Sequence, residues 1–122
     1  MNLVFGMDGV ICTPCKDYRD VEMAKPLANV KEFMDWLIMN EHHITIWCKR
    51  PNSLDWVMAT KEWLADNQIP YNRVLFDRPY NPVMVTETPP NSKYYKHDGD
   101  LNIVADMFEE WKEYITKEAS NE

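Results

Sequence analysis

No stretch of this chain is apolar for long enough to cross a bilayer as a helix. The first residues also lack the basic-then-apolar pattern of a signal peptide. Cysteine is scarce, with three in 122 residues. An odd number of thiols suits a reducing compartment better than a disulfide framework, and the expected location is cytoplasmic. Basic residues are in short supply too, 13 against 20 acidic, for a formal charge of −7. That balance disfavours non-specific attachment to nucleic acid or to an anionic membrane. Internal repeats and low-complexity tracts are missing as well, so one domain over 1–122 is expected.

What is present points to a packed globule. Hydrophobic residues make up 45% of the chain and aromatics 12%, enough to bury a core. A chain of this size accommodates one domain, but not a catalytic domain with a large lid domain beside it.

The stretch 1–13, MNLVFGMDGVICT, organises the rest. Its apolar run Leu3-Val4-Phe5 leads into Gly6-Met7-Asp8-Gly9, the pattern of a buried strand opening onto a turn. Residues 13–25 are polar and mixed, read as a loop or flap. Pro26 suits the first turn of a helix. Val30, Phe33, Met34, Leu37 and Ile38 then recur at helical spacing up to about Asn40. Ile44 to Cys48 reads as a second strand. Asn52 or Ser53 caps a second helix over 54–67 that turns Trp56, Ala59, Trp63 and Leu64 inward. Val74-Leu75-Phe76 is the third strand and Tyr94 to His97 the fourth. Asn102 begins a last helix carrying Val104, Met107, Phe108, Trp111 and Ile115 on one face. Residues 80–92 hold three of the eight prolines and read as a proline-rich loop or flap, with Val83-Met84-Val85 as an extra edge strand.

Strands alternating with helices predict a three-layer α/β, Rossmann-like domain with a mostly parallel sheet. Right-handed crossovers then bring every strand's carboxyl end to one edge. Gly6 to Asp8, Cys48 to Arg50, Asp77 to Arg78 and His97 to Asp100 should meet there.

Four segments in this order resemble the motifs of the haloacid dehalogenase (HAD) superfamily of phosphotransferases. Phe5-Gly6-Met7-Asp8-Gly9-Val10 resembles the first, in which a strand ends in Asp-x-Asp-Gly. Ile44 to Pro51 is similar to the second, where Thr or Ser is usual at the position of Cys48. Asp77-Arg78-Pro79 resembles the third, where Lys is usual, and Tyr95-Lys96-His97-Asp98 the fourth, where an acidic pair is usual. The resemblance covers most of the chain and implies a HAD-like fold with no cap domain.

It also implies roles. The family's nucleophilic aspartate falls at Gly6, which supplies neither a nucleophile nor a metal ligand. Asp8 matches the general acid and base, whose carbonyl also binds Mg²⁺. Cys48, Lys49 and Arg78 fall where the phosphoryl group is held, and Asp8 and Asp98 where Mg²⁺ is held. With no carboxylate at positions 6 and 97, the Mg²⁺ site is weakened. The expectation is a HAD-like protein that has lost aspartyl-phosphate transfer and acts as a phospho-ligand-binding or regulatory module. Its partner would be a small phosphorylated ligand or a protein.

Other chemistries are weighed beside it. One is a Mg²⁺-dependent phosphatase on a small phosphomonoester, a sugar phosphate or nucleotide, working by water attack assisted by Asp8. A zinc or thiol protein would use Cys12, Cys15 and Cys48, with His97 as a further ligand. A Cys48–His97 dyad would be nucleophilic. The blander readings are a buried strand-end cysteine for Cys48, solvent-facing turn residues for His42 and His43, and core packing for the five tryptophans. Lys49, Arg50 and Arg78 form a local basic patch that meets an anion or balances Asp77, Asp98 and Asp100.

Overall fold

The computed structural model describes residues 2–78, the backbone of 92–96, and residues 112, 113, 116 and 117. The order of elements is β1 (Asn2–Phe5), a 3₁₀ segment (Tyr18–Met23), α1 (Val30–Met39), β2 (His43–Trp47), α2 (Leu54–Asp66), β3 (Arg73–Leu75) and β4 (Ser92–Lys96). All pairings are parallel, and the strand order is β3-β2-β1-β4. The protein is thus a small α/β domain of Rossmann-like type. The chain steps outward from β1 through β2 to β3, then returns to the other side of β1. That reversal makes the carboxyl end of β1 the topological switch point, the usual place for a site in an open α/β sheet.

The two inner strands are buried on both faces, as parallel strands are. Leu3, Val4 and Phe5 in β1 and Ile44 to Trp47 in β2 are all nearly sealed from solvent. On one face Leu3, Phe5, Ile44 and Ile46 join Val30, Phe33, Met34 and Leu37 of α1 and Trp63 and Leu64 of α2 in a single core. Phe5 meets Phe33 edge to face with centroids 6.1 Å apart. Val4, Thr45 and Trp47 are buried on the other face.

Of the inward helix residues expected from spacing, Val30, Phe33, Met34, Leu37, Trp63 and Leu64 are buried, and Trp56 and Ala59 are half-buried against the core. Ile38 is exposed, and Thr60 is fully buried in addition. Ser53 is the N-cap of α2, without a side-chain capping bond. Pro26 does not open α1. It lies in an antiparallel bridge with Cys12, whose hydrogen bonds run from Thr13 N to Lys25 O and from Leu27 N to Ile11 O. Neither bond needs the N–H that proline lacks, so the ring is tolerated there. This bridge closes residues 13–25 into a strap, consistent with the flap reading, and the 3₁₀ segment lies inside it. His42 is not a solvent-facing turn residue. It is 8% exposed, its ring is 6.0 Å from that of Trp36, and His43 begins β2. Residues 80–91 and the last helix's proposed cap and apolar face lie outside the described residues.

Both helices stop in the same way. Beyond α1, Glu41 takes a left-handed conformation (φ 63°) and the His42 amide donates to Leu37 O. After α2, Gln68 does so (φ 55°) while Ile69 N donates to Leu64 O. Glycine is the usual residue there because Cβ is penalised at positive φ. Glu41→Gly and Gln68→Gly should therefore each raise stability by up to about 1 kcal/mol in urea unfolding. Within the core, Phe33→Ala should cost about 3–5 kcal/mol. Exposed Met39→Ala should stay within about 0.5 kcal/mol in the same measurement.

Candidate functional site

Immediately after β1 the chain makes one tight turn. The amides of Val10, Ile11 and Cys12 all point at Met7 O, at 3.2, 2.9 and 3.3 Å. Gly9 sits at φ 81°, and its amide donates to Cys12 O at 2.8 Å. A left-handed residue is needed to close this turn, which glycine supplies without a Cβ penalty. The turn fixes the Asp8 side chain at the carboxyl edge of the sheet. Gly6, just before it, is buried.

The loops after β2 and β3 clasp each other at the same edge. Cys48 N donates to Leu75 O (2.9 Å), Arg78 N to Cys48 O (3.1 Å) and Asp77 N to Arg50 O (2.9 Å). Asp77, held at φ 56°, accepts from Asn52 N at 3.1 Å through its carboxylate. The expected meeting of three strand ends is therefore present. The fourth, His97 to Asp100, lies outside the described residues.

At this edge Arg50 grips Asp8 with two parallel bonds. Arg50 Nε donates to Oδ2 at 3.0 Å and Nη2 to Oδ1 at 2.7 Å. The Cys15 amide adds a third bond to Oδ1 at 3.1 Å. The rest of the guanidinium is equally occupied: Nη1 donates to Thr60 Oγ1 at 2.9 Å and Nη2 to Cys12 Sγ at 3.6 Å. The Trp56 ring lies 5.5 Å from its carbon. The Arg50 side chain is 2% exposed and that of Asp8 16%. Burial by itself works against the guanidinium's charge, but the Asp8 hydrogen bonds and charge outweigh it and tighten its hold on the proton.

The thiols follow the same environment. Burial pushes Cys12 up to about 12, against the opposing pull of Arg50. Cys15 is raised too, chiefly by partial burial. Cys48 is fully buried and donates to Leu75 O at 3.2 Å. Thiols held in the protonated form, as burial holds Cys12 and Cys15, are poor nucleophiles and poor metal ligands.

Of the residues marked out by sequence, Asp8, Cys12 and the backbone of Cys15 come together around Arg50. Cys48, Lys49 and Arg78 gather at the neighbouring β2–β3 clasp, where Arg78 is only 3% exposed. Asp98 lies outside the described residues. The described residues do not by themselves make a Mg²⁺ pocket: Gly6 contributes no side chain, and both Asp8 oxygens are bound to a cation already. Arg50 was legible as part of a basic patch, but its partner was not. Thr60 and Trp56 carried no signal at all, since a hydroxyl and an indole on the inner face of a helix read as packing.

The fold and this site define a small parallel α/β domain whose carboxyl edge holds a sequestered ion pair. No family model and no curated protein matches the chain. Among solved structures, the crystal structure of an MCSG target from Vibrio cholerae is similar with a TM-score of 0.57 and 20% identity, over 65% of this chain and 71% of that one. A chain of the Pnkp1/Rnl/Hen1 complex is similar with a TM-score of 0.62 and 15% identity, over 88% of this chain. This chain spans 41% of that one's length. Both similarities concern the fold. Among the described residues, no helix is long and apolar enough to cross a membrane.

Removing one partner of a buried pair strands the other's charge, at a cost of about 3–5 kcal/mol. Asp8→Asn and Arg50→Met should each destabilise by that order, and the double variant by clearly less than their sum, as read from a urea double-mutant cycle. In the native protein at pH 8, iodoacetamide should label Cys15 first, while Cys12 and Cys48 react only after denaturation. The folded pKa of Cys12 lies above its ordinary value of 9.0, so its contribution to stability is complete below pH 9 and declines as pH rises toward 12. Cys12→Ser should flatten that alkaline decline in melting temperature.

Proposed function

We propose that this protein is a HAD-like module that binds rather than turns over its ligand, having lost aspartyl-phosphate transfer. The observation that carries the reading is the state of the two positions the chemistry needs. At the first, Gly6 has no side chain to attack phosphorus. At the second, Asp8 is bound on both oxygens by Arg50 and the Cys15 amide. A carboxylate so held is poorly placed to move protons to and from a substrate oxygen, because each transfer would have to break a charge-assisted bond in a water-poor site.

A four-stranded parallel sheet with its switch point at β1, and a strap following β1, are compatible with the HAD resemblance. In this reading Lys49 and Arg78 are the groups that meet a phosphorylated ligand, Arg78 being able to take two phosphate oxygens at once. Cys48, sealed from solvent with its thiol on Leu75 O, is not among them. The Mg²⁺ pair implied by the resemblance, Asp8 and Asp98, would lack the Asp8 carboxylate, because Arg50 holds both of its oxygens. Lys49 precedes Arg50 in the chain and Arg78 N bonds Cys48 O, so both belong to the loops that carry this edge, and their charge suits an anion in a chain that is otherwise acidic.

Incubation with Mg²⁺ and a panel of phosphomonoesters, p-nitrophenyl phosphate among them, should release no phosphate above the protein-free rate. Mg²⁺-dependent release that Asp8→Asn abolishes would overturn the reading. Titration with inorganic phosphate should shift the amide resonances of residues 48–50 and 77–78 saturably, and Arg78→Lys should weaken the effect. Phosphate leaving those resonances unmoved would remove the phospho-ligand from the proposal.

A further inference from the structure

A second concave place lies away from the carboxyl edge, between the strap and the outer flank of α2. It is about 410 Å³ in volume and is lined by Tyr18, Arg19 and Glu22 of the 3₁₀ segment and by Ala59, Glu62, Trp63, Asp66 and Asn67 of α2. That volume falls in the range of ordinary binding clefts. The strap is fastened on both sides of the cleft. Tyr18 packs edge-on against Trp56 with centroids 6.3 Å apart, and Trp63 Nε1 donates to Ala24 O at 2.8 Å. The cleft is therefore a built feature of the fold.

Its walls combine apolar surface with one sign of charge. Tyr18, Ala59 and Trp63 supply the apolar part, and exposed Met58 stands one turn before Glu62 on the same helix. Three carboxylates surround it, and none of Glu22, Glu62 and Asp66 makes an ion pair among the described residues. Glu62 and Asp66 are four residues apart on α2, where like charges repel. Among the described residues of the lining the one cation is Arg19, already matched by Asp17, with its Nε at 3.0 Å and Nη2 at 2.8 Å from the two carboxylate oxygens.

We propose that this apolar, acid-walled cleft is a docking groove for a basic segment of a partner protein. Charge complementarity selects the occupant. A Lys or Arg side chain has an aliphatic stem that can lie along Tyr18 and Ala59, over the buried Trp63, while its head reaches the three carboxylates. A nucleic acid would be repelled by the same walls. The inference names a partner class for the binding-module reading and rests on it, but it uses a different face of the domain.

The test is a ¹⁵N–¹H NMR titration of the intact chain with the peptide acetyl-Ala-Arg-Leu-Lys-Ala-amide. Its Glu-for-Arg/Lys counterpart and spermidine serve as comparisons. The expected result is a saturable shift confined to residues 18–24 and 59–67 and to the Trp63 indole N–H. The shift should be absent with the acidic peptide and much weaker with spermidine, which has charge but no shape to match the apolar wall. Glu62→Gln combined with Asp66→Asn, two exposed changes that leave the core intact, should weaken binding about fivefold. The proposal is overturned if no saturable shift occurs, if the shifts fall elsewhere, if the double variant binds equally well, or if spermidine binds as tightly as the peptide. Failure here leaves the phosphate-release result untouched, and turnover of a phosphomonoester would leave the groove untouched.

Discussion

A buried arginine must be paired, and in this protein the pairing of Arg50 with Asp8 decides how three parts of the chain come together. The carboxylate comes from the turn after β1, the guanidinium from the loop after β2, and its Nη1 donates to Thr60 on α2. Charges with so little access to water stay ionised only where opposite charge and hydrogen bonds replace the lost solvation. The Cys15 amide extends the same network into the strap. One side-chain pair thus ties the sheet edge, a helix and the strap to a single geometry.

That arrangement sits on a scaffold set by apolar burial. β1 and β2 are sealed on both faces, and α1 and α2 close one of them through Phe33, Met34, Leu37, Trp63 and Leu64. Because the sheet is parallel, its carboxyl ends point the same way, and the loops beyond them are forced into one place. The clasp between the β2 and β3 loops, made largely of backbone hydrogen bonds, then fixes where Arg50 begins. A polar network could be placed accurately there because the layers beneath it leave little room for adjustment.

Much of the architecture could be read before the fold was seen. Apolar spacing located α2, the four strands and the end of α1 to within a residue or two, because burial of one helix face or both strand faces leaves a repeating mark. The start of α1, expected at Pro26, lies four residues later. Pro26 and His42 went astray for a common reason: their surroundings are contacts made from a distance. The bridge to Cys12 explains the proline and the Trp36 ring explains the histidine, and neither partner is announced by local sequence. Gly6 could be judged from sequence, since the lack of a side chain excludes a nucleophile in any fold. The fate of Asp8 could not. An acid just past a strand reads as available for chemistry until the group opposite it is known, and Arg50 lies 42 residues away.

Sequence by itself therefore determined the α/β class, the meeting of the first three strand ends and the absence of a reactive oxygen at position 6, because these follow from periodicity, chain connectivity and covalent structure. Tertiary structure alone decided that Asp8 is held by Arg50 and that Cys12 is a suppressed thiol. It alone opened an acid-walled cleft between the strap and α2. These depend on distances between side chains far apart in the chain, and burial turns those distances into strong or weak interactions.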